Sequence, residues 1–212
     1  RMDLRNEVPC IPDGLDAIIH LAANVGIVRS LEEPYYDFQQ NAVTTLRVLE
    51  YARGNGIPVI YASTNKVYAD AVTTIPVKEE RTRYVWDIKG VNENYLTSGG
   101  HHTPYGASKL TGDMYCQEYY GSFGVPTVVN RMSCIYGLFQ NGAEEQGWVD
   151  HFVRSVLEER TINIYGDGKQ VRDLLWGADL ADLYLTQLEN IDSIAGGVFN
   201  VGGGPTNTLS VI

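Results

Sequence analysis

The run Asp16-Ala17-Ile18-Ile19-His20-Leu21-Ala22-Ala23 constrains this chain more than any other stretch. It is nearly unbroken in apolar side chains and closes on small residues. A strand with one wet face alternates apolar and polar. One without alternation is covered on both faces, as in a parallel sheet between layers of helices. Similar runs recur at 57–63, leading directly into Thr64, at 125–132, ending on Met132, and at 198–201, closed by Gly202-Gly203-Gly204.

Between the runs the spacing turns helical. Phe38, Ala42, Leu46, Leu49 and Ala52 predict a helix over 35–53, stopped by Gly54-Asn55-Gly56. Further helices are expected over 105–121, 149–159 and 178–188. Residues 134–150 read as a loop and 161–165 as a short strand before the turn Gly166-Asp167-Gly168. Strand–helix alternation implies an open α/β sheet with ligand sites at the carboxyl ends of its strands. His20 to Ala23, Thr64 and Met132-Ser133 fall at such ends. Residues 69–103 interrupt the alternation. They are polar and read as a long irregular insertion, a length of loop that is usually functional or disordered.

One polar pair stands out. Tyr105 and Lys109 lie a helical turn apart, behind Thr103-Pro104, a hydroxyl cap followed by a first-turn proline. A phenol ordinarily titrates near about 10. A neighbouring ammonium favours the phenolate, so a tyrosine exchanging protons near neutrality is expected. The Thr64 hydroxyl would be a third group to hold a substrate oxygen. By itself the Tyr-x-x-x-Lys spacing is commonplace on solvated helices.

Composition only sets limits. A net charge of −10 argues against nucleic acid as a partner. No run approaches the roughly 18 apolar residues of a membrane span. Cys10, Cys116 and Cys134 are far apart and lack metal-ligand spacing, so reduced thiols in a cytoplasmic protein without a metal site are expected.

Taken together, several segments resemble the extended short-chain dehydrogenase/reductase family, the nucleotide-sugar epimerases and dehydratases. They are His20-Leu21-Ala22-Ala23, Asn41, Ser63-Thr64 before Val67-Tyr68, Pro104-Tyr105-Gly106-Ala107-Ser108-Lys109, Arg131 with Tyr136-Gly137, and Gly168-Lys169-Gln170-Val171-Arg172-Asp173. The resemblance runs in order along nearly the whole chain. It implies an α/β fold: a partial Rossmann-type doubly wound parallel sheet over 1–133, with part of a smaller substrate-binding lobe over 134–212 whose strand returns to the main sheet. Within the family, Ser63-Thr64-Asn65-Lys66-Val67-Tyr68, Glu80-Arg81-Thr82-Arg83-Tyr84 and Glu145-Gln146-Gly147-Trp148-Val149 look most like the CDP-paratose 2-epimerases, also called CDP-tyvelose epimerases.

The resemblance also implies NAD as cofactor, a nucleotide-diphosphate sugar as substrate, and a homo-oligomer built through the helices after residues 35 and 105. Tyr105 would exchange a proton with a sugar hydroxyl, Lys109 would bind the nicotinamide ribose, and Thr64 would hold the reacting oxygen. Asp3, Leu4, Ala22, Ala23, Asn41, Ser63 and Met132, with Tyr105 and Lys109, would touch the cofactor. Asn65, Gln146, Trp148 and Arg172 would touch the substrate. Each has a plainer alternative. The alanines could be small for packing, Met132 core and Trp148 a packing anchor. Asn65 could be a turn residue only, and Arg172 an ion pair with Asp173 or Asp179. His101 and His102 fit a loop role, His151 a surface helix, and the glycines at 202–204 a turn.

Sugar 4,6-dehydratases of the family carry Asp-Glu after the threonine. Asn65-Lys66 therefore disfavours elimination. The glycine-rich turn that cradles a dinucleotide pyrophosphate has no counterpart in the sequence. A whole member would place two strand–helix units before Asp3, on the order of 50–60 residues at about 30 per unit. A fragment that binds NAD poorly by itself is the expectation.

Overall fold

The computed structural model describes residues 3–5 and 14–212. Cys10 lies outside them. The first strand, β1 (Ile18–His20), is followed by two short helices, α1 (Ile27–Glu32) and α2 (Pro34–Phe38). Helix α2 runs on through a wide π turn, Gln39–Val43, into α3 (Thr44–Asn55). Thus the helix expected over 35–53 forms, but not as one regular α-helix. The Thr45 hydroxyl donates back to the Asn41 carbonyl at 2.5 Å, and such back-bonding competes with the regular ladder. Gly56, left-handed at φ 66°, ends α3.

Strand β2 (Val59–Thr64) is buried along its whole length and pairs in parallel with β1 and with β5 (Thr127–Met132). Between β2 and β5 come the hairpin strands β3 (Val77–Glu79) and β4 (Tyr84–Trp86), and then α4 (Pro104–Phe123). After β5 follow β6 (Cys134–Tyr136), α5 (Trp148–Leu157), β7 (Val171–Trp176), α6 (Gly177–Glu189), α7 (Ile191–Ile194), β8 (Val198–Val201) and β9 (Thr208–Ser210). The main sheet has the order β1-β2-β5-β8, all parallel, and β6, β7 and β9 form a second sheet.

Both faces of β2 and β5 are covered, which accounts for their unalternating runs, whereas Ile19 on the edge strand β1 is exposed. On one face Leu49, Ala52, Cys116 and Tyr119 from α3 and α4 pack on Val59, Tyr61 and Val129. On the other, Leu180 and Tyr184 of α6 pack with Ile60, Val128 and Val201. Leu175 of β7 joins that second cluster, so β7 ties the small sheet to the main core.

Three expectations fail. Residues 134–150 are not all loop, since β6 occupies Cys134–Tyr136. No strand forms at 161–165, where Ile164 and Tyr165 are exposed; the strand lies at Val171–Trp176, with Leu174 and Leu175 buried. The polar 170–173 stretch hid it, because only its second half enters the core. The 69–103 insertion is not structureless. Its hairpin β3–β4 docks on the second sheet, with Tyr84 N–H donating to the Lys169 carbonyl at 3.0 Å and Arg83 donating to the Thr208 hydroxyl at 2.7 Å.

Candidate active site

The site is built where β2, β5 and the first turn of α4 meet. Thr103 caps α4 by accepting from the Gly106 N–H at 3.1 Å, with Pro104 in the first turn. Gly106 is needed there: a Cβ would sit 2.8 Å from the Lys66 carbonyl oxygen. That close approach brings Tyr105 to the carboxyl end of β2. Thr64, which is buried, faces the Tyr105 phenol and draws its pKa down, but no direct hydrogen bond closes between them.

The electrostatics differ from expectation in one respect. Burial pushes the Tyr105 pKa up, the Thr64 hydroxyl lowers it and the Asp37 charge raises it again, leaving it above the usual phenol value. The Lys109 ammonium is not among the causes. It lies 4.3 Å from the centre of the Tyr61 ring and makes no hydrogen bond to the described residues. Burial holds the Lys109 pKa down at about 8, partly countered by Cys116, Asp113 and Asp37. A nearly buried ammonium without an oxygen partner suits a ligand that brings hydroxyls, as a ribose does.

Beneath this pair is a network that the sequence did not reveal. Asp37 is fully buried, and its carboxylate accepts from Asn24 Nδ2 at 2.6 Å, Asn41 Nδ2 at 3.2 Å and Ser108 Oγ at 2.5 Å. Asn41 also accepts from the Asn24 N–H at 2.8 Å and donates to Ser108 Oγ at 2.9 Å. The π turn carries Asn41, so the irregularity serves to join the loop after β1 to α4 beside Lys109. Asn41 therefore has its amide engaged within the protein. The Asp37-Asn41 spacing, one turn apart, was the available signal.

A second buried cluster fixes the strand ends. Arg131, 5% exposed, pairs with Asp113, 0% exposed, through Nε at 2.9 Å and Nη2 at 3.0 Å. Ser63 Oγ donates to Asp113 at 2.8 Å, so the Ser63 hydroxyl is directed into this pair and not toward a cofactor. Arg131 also donates to the Tyr68 hydroxyl at 3.2 Å and to the Glu93 carbonyl at 2.9 Å, while Asn200 accepts from Tyr68 at 2.6 Å. These bonds tie the insertion to β5 and β8.

Other candidates sort as follows. Ala22 is exposed and Ala23 half-buried, leaving the end of β1 open to a ligand. Asp3 is tied up by Arg5 at 2.6 Å, and the Leu4 carbonyl accepts from Arg47 at 2.9 Å. Met132 takes its core alternative, its sulfur accepting from the Tyr184 hydroxyl at 3.2 Å. Asn65 is exposed in a tight turn and its side chain bonds to none of the described residues. Gln146 is exposed, its backbone paired with Ala143. Trp148 opens α5 and meets Phe152 edge-on at 5.5 Å. Its indole N–H is buried without a hydrogen-bond partner among the described residues.

Arg172 is exposed, and among the described residues it bonds only to the neighbouring Val171 carbonyl, at 3.0 Å. The ion pair with Asp173 does not form, because Asp173 accepts instead from the Gly203 and Gly204 N–H groups at 2.8 and 3.1 Å. Gly203 allows this, since a Cβ would overlap the Leu174 carbonyl. His101 and His102 hold the loop before α4: the His101 N–H donates to Asp70 at 2.9 Å, and the His102 ring bonds the Val67 carbonyl at 2.9 Å. His151 lies in α5, half-buried. Among the described residues no cluster of His, Cys, Asp and Glu could hold a metal ion, and no helix is long and apolar enough to cross a membrane.

Known proteins share this arrangement of strands and helices. The chain is 39% identical over 204 residues to the CDP-paratose 2-epimerase of Salmonella typhi, covering 93% of this chain and 60% of that protein. It is 28% identical over 197 residues to a putative UDP-glucose 4-epimerase of Methanocaldococcus jannaschii, covering 92% of this chain and 58% of that protein. The UDP-glucuronic acid 4-epimerase of Bacillus cereus, solved with UDP-glucuronic acid and NAD, superposes with a TM-score of 0.78 at 27% identity, over 100% of this chain and 61% of that one. The chain thus spans 60% or less of the length of the curated relatives named here. A family description covers residues 3–202, and the chain belongs to the NAD dependent epimerase/dehydratase family.

Proposed function

We propose that this chain is the catalytic core of an NAD-dependent nucleotide-sugar epimerase, acting on a CDP-linked deoxyhexose at C2. The observation that carries the proposal is the Thr64 hydroxyl beside the Tyr105 phenol, with the Lys109 ammonium, lacking an oxygen partner among the described residues, a turn further along α4. Likeness to a CDP-paratose 2-epimerase supports the choice of sugar and base.

NAD, when bound, supplies the acceptor and donor of a hydride. Lys109 would hold its ribose hydroxyls, and the open strand end at Ala22 and Ala23 would lie against it. Thr64 holds the substrate hydroxyl in hydrogen-bond reach of Tyr105. The Tyr105 phenolate accepts that hydroxyl proton as the carbon is oxidised, and the phenol returns it as the carbon is reduced on its other face. The elevated Tyr105 pKa suits the return step. It also means that the oxidation step needs the positive charge of the bound cofactor to lower it. Asn65 and Lys66 supply no carboxylate for elimination, which supports epimerase over dehydratase chemistry. Self-association through the exposed side of α4, where Met114, Tyr115 and Phe123 are solvent-facing, belongs to the same proposal.

A second reading, epimerisation at C4 of a UDP-sugar, is favoured by the likeness to UDP-sugar 4-epimerases. Incubating the intact protein with CDP-paratose and with UDP-glucose, and following the sugar ring protons by NMR, separates the two. Inversion at C2 of the CDP-sugar is expected. Inversion at C4 alone would replace the first reading with the second.

A further inference from the structure

The residue after Asn65 has no role in the chemistry so far. Lys66 sits in the turn after β2, its N–H donating to the Thr64 hydroxyl oxygen at 3.3 Å and its carbonyl pressed against Gly106. The backbone of Lys66 is therefore fixed between Thr64 and Tyr105. Its side chain keeps solvent contact at the mouth of the cleft, and its ammonium bonds to none of the described residues.

Strand register shows what lies alongside. Thr64 is paired with Met132, and the chain continues from Met132 through Ser133 into Cys134. Cys134 is paired with Leu174, which shares its face of β7 with Arg172, two residues earlier. Lys66, Cys134 and Arg172 thus line one wall. Burial lowers the Lys66 pKa and the Arg172 charge lowers it further, while both cations pull down the Cys134 thiol that burial has raised. The Trp148 indole N–H also leans toward Cys134, without reaching hydrogen-bond geometry to it or to any other acceptor among the described residues.

This wall presents three donors, and the carboxylate nearest to it, Asp173, already accepts from the Gly203 and Gly204 N–H groups. Two like charges brought together in a partly screened cleft repel each other, and an indole N–H without a partner is costly. An acceptor-rich anion relieves both. We propose that Lys66 is a substrate-binding residue, its ammonium joining Arg172 and Trp148 around the diphosphate of the nucleotide sugar. The inference rests on the nucleotide-sugar reading above and assigns that site a cation of its own, adjacent in sequence to the residue that would hold the sugar.

The test is calorimetric titration of the intact protein with CDP and with UDP, on wild type, Lys66→Met, Lys66→Arg and Tyr105→Phe. Lys66→Met is expected to weaken binding of whichever nucleotide wild type prefers by about tenfold. Lys66→Arg should recover most of it and Tyr105→Phe should bind as wild type. In turnover, Lys66→Met should raise KM and leave kcat within a few-fold. Unchanged nucleotide affinity in Lys66→Met would overturn the assignment, as would a lower kcat at unchanged KM, and either leaves the Tyr105 chemistry standing. If wild type binds neither nucleotide, the diphosphate site and the nucleotide-sugar reading fall together.

Discussion

Replacing Asp113 by leucine should be among the most damaging changes open to this chain. The carboxylate is 0% exposed and holds a guanidinium that is itself 5% exposed, through bonds of 2.9 and 3.0 Å. Burial alone would lower the Arg131 pKa and the partnership with Asp113 raises it, but a guanidinium is not deprotonated in proteins, so Arg131 stays charged when Asp113 is lost. Removing one partner of such a pair strands the other, at a cost of about 3–5 kcal/mol. Ser63 and Gln117 lose acceptors as well, at 2.8 and 2.7 Å. Against a total stability of roughly 5–15 kcal/mol, and at about 2–4 °C per kcal/mol for a domain of this size, the midpoint should fall by roughly 6–20 °C.

Thermal and urea unfolding of the intact protein measure this, with Arg131→Met and the double variant alongside. The double variant should recover much of the loss, because well-packed apolar residues can replace a buried pair. It should not recover the insertion. Arg131 holds the Glu93 carbonyl, so limited proteolysis should cut near residues 91–95 in both Arg131 variants. If Asp113→Leu unfolds within about 1 kcal/mol of wild type, or the double variant is no better than the single, the buried pair is not the constraint described.

Lys109→Met should abolish NAD retention yet stabilise the protein freed of cofactor, a trade of stability for function. Its folded pKa of about 8 lies below the usual lysine value, so the unfolded chain binds more protons between about 8 and 10.5. Wild-type stability should therefore rise with pH across that window, by roughly 3 kcal/mol in all, and Lys109→Met should flatten the rise. His20 is nearly buried, and burial first, then the Lys109 charge, holds its pKa down at about 3. Stability should fall as pH drops below about 6.5, where only the unfolded chain takes up the proton, and His20→Gln should reduce that slope. A pH-independent unfolding midpoint in wild type would contradict either assignment.

Much of this was legible in the residues, for identifiable reasons. β2 shows as an unalternating run because α4 and α6 cover both its faces, and α4 announces itself through Thr103-Pro104. β7 escaped because its first half is polar and half-exposed, its bonds spent on β9 and on the glycines after β8. The hairpin β3–β4 escaped for a related reason: Val77, Val85 and Trp86 are largely exposed, so no buried stripe marks it. Thr64 and Tyr105 lie together, whereas the Ser63 hydroxyl bonds to Asp113 and Met132 packs partly buried beside Tyr184. Adjacency on a strand fixes position along it but not which neighbour claims the side chain. The Tyr105 pKa was misjudged because one-turn spacing was taken to mean contact, and the Lys109 ammonium lies over the Tyr61 ring instead.

Tyr105→Phe in the intact protein tests the heart of this account. The sugar ring protons are followed by NMR and bound NAD by absorbance on the same sample. Epimerisation should slow by about 100- to 10,000-fold, the usual worth of a general acid–base, while NAD stays bound. Turnover at the wild-type rate with NAD retained would mean that the phenol facing Thr64 carries no proton in the reaction.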